Sequence, residues 1–215
     1  MNDDFFPSAP DDGDFPPAWF DLDPLTREIA QAAAAAIVDE DLDYAAARRR
    51  AVQDLGLERV RAHLLPSPET LEDAVRAHLR LFHADTWPQE LRALREAALT
   101  FLKRLPFDAV YVRGAVWRGT ATRLSCVHAE IYSDDPKLAE MQLLDQGWPL
   151  EQVGDGRSHD PVLHLPLPVP AWREMSSLYL YLLPREALHG ALKADTRGRR
   201  WRGTPQELAD LLEPE

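Results

Sequence analysis

Cys126, His128 and Glu130 stand at alternate positions in Ser125-Cys-Val-His-Ala-Glu-Ile-Tyr132, so on a strand their side chains leave one face. A zinc ion accepts cysteine, histidine and glutamate, and two ligands at alternate strand positions can reach one ion. Three from one straight strand converge poorly, so His159 or His164 would have to join them from elsewhere. A buried free cysteine beside a satisfied histidine is the commoner origin of such a pattern, and no zinc is expected. Nucleophilic attack by Cys126 with help from His128 meets the same obstacle, because alternate residues project in parallel instead of toward each other. A second cluster is Arg197-Gly-Arg-Arg-Trp-Arg-Gly203, in which Arg197, Arg199, Arg200 and Arg202 surround Trp201. Guanidinium groups for phosphates and an indole for stacking suit single-stranded nucleic acid; a solvated basic loop balancing acidic helices is the plainer alternative.

The chain bearing these residues is 215 long and 45% hydrophobic, enough for a real core in one domain with appendages or in two small ones. Its single cysteine excludes an intrachain disulfide framework. No apolar run approaches the roughly 18 residues that span a bilayer and no export signal is visible, so a cytoplasmic protein without a membrane partner is expected. The net charge of −12 argues against a general positive field for nucleic acid. Residues 1–23, however, carry seven Asp and no Lys or Arg, so more than half of that charge sits in one segment. Four prolines and several aromatics punctuate this acidic tail, which is expected to lack fixed structure.

Residues 24–105 read as helical. Leu25, Ile29, Ala33 and Ala36 share one face, and Tyr44, Ala47, Ala51 and Leu55 another, closed by Gly56. Ser67-Pro68 caps a helix with the stripe Leu71, Val75, His78, Leu79 and Phe82. Thr86-Trp-Pro-Gln89 has capping-box spacing ahead of a long helix with Leu91, Leu94, Ala98, Phe101, Leu102 and Leu105 inward. After Pro106 the period becomes strand-like, with strands expected over 110–116, 126–132 and 177–183. A strand over 162–169 contains Pro166 and Pro168 and suits a sheet edge. Helices are expected after Asp135-Pro136, over 185–193, and after Thr204-Pro-Gln-Glu207.

From about Trp87 onward the order helix, strand, strand, helix, strand, strand, helix resembles the DNA polymerase β-like nucleotidyltransferase superfamily. There a strand ends in Gly-Ser or Gly-Thr and the next begins Ser-Asp-hydrophobic-Asp. The matching residues are Gly119-Thr120 and Ser125-Cys126-Val127-His128. Residues 87–212 are similar to a subgroup of small bacterial nucleotidyltransferase-like proteins, through Gly119-Thr-Ala-Thr-Arg-Leu-Ser125 and Leu188-His-Gly-Ala-Leu-Lys193. Some similar proteins are labelled UDP-N-acetylmuramate–alanine ligase, but the chain is short for such a ligase and lacks a Gly-rich Lys-Ser/Thr loop.

Composition and periodicity give an acidic tail (1–23) and a helical region (24–105), and the resemblance implies that residues 106–215 form a nucleotidyltransferase-like mixed sheet flanked by helices, an α+β fold in all. It also implies nucleotide phosphate binding by Gly119, Thr120, Arg123 and Ser125, although Gly119-Thr120 also suits a simple hairpin turn. Cys126 and His128 occupy the positions of the two metal-binding carboxylates, which would hold a pair of magnesium ions. Residues 176–183 contain no third acid. The expected function is therefore non-catalytic binding of a nucleotide, an RNA or a protein partner, with no cofactor. The alternatives are an active nucleotidyltransferase with a rearranged, magnesium-dependent metal site, and a helical protein-interaction module.

Overall fold

The structure, a computed structural model, describes Trp19 and residues 21–153, 161–195 and 198–213. It divides into two compact units, Met1–Ala84 and Asp85–Glu215. The expected boundary at 105/106 therefore moves: the helix after Trp87 belongs with the sheet, whose core it completes. Most of the acidic tail lies outside the described residues, as do His159 and Arg197.

The first unit holds α1 (Pro24–Glu40), α2 (Tyr44–Asp54), a 3-10 turn (Ala62–Leu64) and α3 (Pro68–Phe82). Asp23, Asp43 and Ser67 cap the three helices by accepting a backbone N–H in the first turn. Ile29, Ala33, Ala47, Ala51, Leu71, Val75 and Leu79 are buried as their spacing requires. Phe82, the last residue of α3, departs from its stripe and is exposed. Glu72 is buried on α3 and is met by the Tyr44 hydroxyl and Arg76.

The second unit runs α4 (Trp87–Leu102), β1 (Val110–Arg113), α5 (Gly114–Arg118), β2 (Val127–Ser133), α6 (Pro136–Asp145), β3 (Glu151–Val153), β4 (Val162–Val169) and β5 (Glu174–Pro184). A 3-10 turn (Arg185–Leu188), β6 (Arg202–Gly203) and α7 (Pro205–Asp210) follow. The sheet order is β3-β4-β5-β2-β1-β6, with β2 and β5 parallel and the other pairs antiparallel. An α+β fold with a mixed sheet is thus what forms.

Several boundaries differ from expectation. The strand over 110–116 stops at Arg113, since Gly114 turns left-handed at φ 73° and opens α5. The helix over 185–193 shrinks to a 3-10 turn, and β3 and β6 are new. Thr86 makes no side-chain cap, because it is itself in a right-handed helical conformation. The box at Thr204 and Glu207 does form. The prolines of β4 lie beyond the reach of β3, where that strand has no second neighbour to miss an N–H.

The sheet has two chemically distinct faces. One carries Val112, Val127, Ala129, Ile131, Leu165, Leu178 and Leu180 into a core shared with Leu94 of α4, Val116 of α5, Leu143 of α6 and Leu208 of α7. The opposite parity carries Tyr111, Arg113, His128, Glu130, Tyr132, His164, Tyr179 and Tyr181.

Candidate functional site

The polar face is built around β2. Its register sets His128 opposite Arg113 on one side and Tyr179 on the other, and sets Glu130 between Tyr111 and Tyr181. The His128 ring stacks on Tyr179 with centroids 5.4 Å apart and planes 16° apart, and its Nδ1 lies 3.1 Å from the Tyr181 hydroxyl. The Arg113 guanidinium sits 4.1 Å above the Tyr181 ring, and His164 of β4 extends the row at 5.1 Å from Tyr179. Four strands thus contribute one continuous strip of rings edged by guanidinium.

Burial, and then the positive charges of Arg113 and Arg118, hold His128 well below the usual imidazole range, at about 4. The ring is therefore neutral at pH 7 and keeps a lone pair. Glu130 is buried and engaged: Arg202 donates to its Oε2 at 2.7 Å, the Tyr132 hydroxyl donates at 2.8 Å, and Arg113 lies 3.4 Å from Oε1. A carboxylate held by two guanidinium groups has little negative potential left for a cation.

The structure separates residues that the sequence set together. Gly119 is the left-handed cap of α5, and the Thr120 N–H already donates to the Ala115 carbonyl at 2.9 Å with the side chain buried. Gly119-Thr120 is thus a helix terminus, neither a strand end nor a hairpin turn. The glycine at the end of β1 is Gly114, and a Cβ there would meet His128 Cδ2 at 3.5 Å. Ser125 closes a local turn by accepting from the Thr122 N–H at 3.0 Å. Arg123 is drawn to Glu174, 2.6 Å away, and to the Trp172 ring. These four residues lie in the segment that joins α5 to β2. Cys126, just before β2, is half-buried and makes no three-ligand cluster with His128 and Glu130 among the described residues.

The described part of the basic loop is folded onto acids. Arg199 pairs with Asp195 at 3.1 Å, Arg200 with Glu207, and Arg202 with Glu130, while Trp201 lies under Arg118. Trp117 donates to the Arg200 carbonyl at 2.8 Å, fixing the loop to α5. The loop therefore works as a brace for the polar face, and its guanidinium groups are largely committed.

The residues that sequence reasoning passed over are Tyr179, Tyr181, Tyr132 and the stacking role of Arg113. Their signal was legible: tyrosines alternate with Leu178, Leu180 and Leu182, the mark of a strand with one apolar and one aromatic face. A mostly apolar cavity of about 540 Å³ lies elsewhere, between α4, Trp148 and β4, and none of the residues above lines it. No helix among the described residues is long and apolar enough to cross a membrane. Compared with family models, curated proteins and solved structures, the chain matches none.

Proposed function

We propose that the chain is a nucleotidyltransferase-like protein that binds a nucleotide or single-stranded RNA on the polar face of its sheet without transferring nucleotides. The observation that carries this reading is the strip His164, Tyr179, His128 and Tyr181 with Arg113 above it. Rings accept nucleobases by stacking whatever their sequence, and guanidinium groups at the rim attract phosphates. The donor set disfavours two-metal chemistry: His128 is neutral, Cys126 is no carboxylate, and Glu130 is neutralised by arginine. In the superfamily pattern the strand-end glycine corresponds better to Gly114 than to Gly119, and Ala115 then replaces the hydroxyl residue.

Fluorescence anisotropy with a short labelled single-stranded RNA and with a labelled nucleoside triphosphate tests the reading. Saturable, salt-sensitive binding is expected, weakened at least tenfold in Tyr179→Ala/Tyr181→Ala. Absence of binding by the parent, or equal affinity in the double variant, refutes it. Label transfer in magnesium or manganese that is lost in His128→Ala would instead favour an active enzyme. A helical interaction module draws on the adjacent exposed Leu81 and Phe82 of α3, and fails if Leu81→Ser/Phe82→Ser leaves every partner contact intact.

A further inference from the structure

Asp39, His78 and His83 are far apart in sequence, and the packing of α1 and α3 brings them together. Asp39 is the penultimate residue of α1, His78 lies on the inner stripe of α3, and His83 follows α3 as its C-cap. Five residues apart on an unbroken helix, the two imidazoles would diverge. Because His83 leaves helical geometry at φ −128° and ψ 17°, its ring turns back to 5.8 Å from that of His78.

The Nε2 atoms of the two histidines flank one carboxylate. His83 Nε2 lies 3.1 Å from Asp39 Oδ1, His78 Nε2 lies 3.5 Å from Asp39 Oδ2, and all three residues offer a ligand atom within 4.8 Å of the others. In a tetrahedral zinc site with bonds near 2.0–2.1 Å, neighbouring ligand atoms stand about 3.3 Å apart. Each imidazole nitrogen stands about that far from one oxygen of the Asp39 carboxylate, so a small rotation of that carboxylate brings one oxygen and both nitrogens around a common ion. The buried Nε2 of His78 makes no hydrogen bond, although Asp39 Oδ2 lies 3.5 Å from it. A buried imidazole nitrogen aimed at a carboxylate without bonding it has the arrangement that a shared cation completes.

We propose that Asp39, His78 and His83 bind one divalent ion of the zinc class, clipping the end of α1 to the end of α3. Two imidazoles and one carboxylate suit zinc, cobalt or nickel; magnesium and calcium prefer sets made of oxygen alone. Asp39 is half exposed, so a fourth position faces solvent and takes a water.

The test uses the full chain, stripped with a chelator and titrated with zinc against a chromogenic indicator. One zinc per chain is expected, with affinity reduced at least tenfold in Asp39→Asn and in His83→Gln. Metal-free thermal midpoints of these two variants should stay close to the parent's, because both sites are partly exposed. Zinc should raise the parent's midpoint and not that of the Asp39→Asn/His83→Gln double variant, and magnesium should raise neither. Cobalt should give the visible absorption of a four-coordinate site in the parent alone. Failure to bind zinc stoichiometrically overturns the proposal, as does equal binding by the double variant, which would place the ion at other residues.

Discussion

Arg202 on the two-residue strand β6 donates to Glu130 on β2 at 2.7 Å, joining positions 72 residues apart. Glu130 is buried and also receives Tyr132 and Arg113. Removing the acid leaves one guanidinium largely buried without its counter-ion, which costs about 3–5 kcal/mol. Glu130→Ala should show this loss in urea denaturation. Glu130→Ala/Arg202→Met should recover part of it, since the orphaned charge is gone. A double variant as unstable as the sum of the two singles would mean the pair is not coupled.

His128 supplies a pH signature. Its folded pKa is about 4, below the 6.5 of a free imidazole, so the unfolded chain takes up the proton first. The resulting stability is complete above pH 6.5 and is lost as pH falls toward 4. Allowing for solvent around the half-buried ring, the loss is on the order of 2 kcal/mol. His128→Gln should flatten the stability profile in that window relative to the parent; parallel profiles would show that His128 is not desolvated.

Gly203 of β6 sits against Trp117, where an added Cβ would fall 2.0 Å from the indole ring. Gly203→Ala should therefore destabilise the protein by about 1–3 kcal/mol through overpacking. Combining it with Trp117→Leu should cost less than the sum of the singles, and strict additivity would remove the steric explanation.

If Cys126 and His128 hold the places of two metal-binding carboxylates, Cys126→Asp/His128→Asp puts two negative charges side by side at the start of β2. The variant should be less stable than the parent in metal-free buffer and gain thermal stability in magnesium or manganese, unlike the parent. An equal response in both proteins would show that the two positions do not share a site.

Local chemistry carried much of this fold. Caps such as Ser67 and Thr204, the periodic burial of Ile29, Ala33, Leu71 and Leu79, and the alternation of Leu178, Leu180 and Leu182 all act within a few residues, so sequence alone determined them. The same local rules misplaced the end of β1, because Gly114 can turn left-handed but only the packing of Val116 into the core makes it do so. Thr120 suited either a phosphate-facing turn or a simple hairpin until the fold gave its N–H to Ala115. The basic loop left two readings open, a nucleic-acid platform and a loop balancing acidic neighbours, until Asp195, Glu207 and Glu130 came within reach. Only tertiary structure decided which cations are neutralised, and only it brought Asp39 to His78 and His83, because hydrogen bonds and ion pairs between distant residues depend on ångström-scale approach that no sequence spacing encodes.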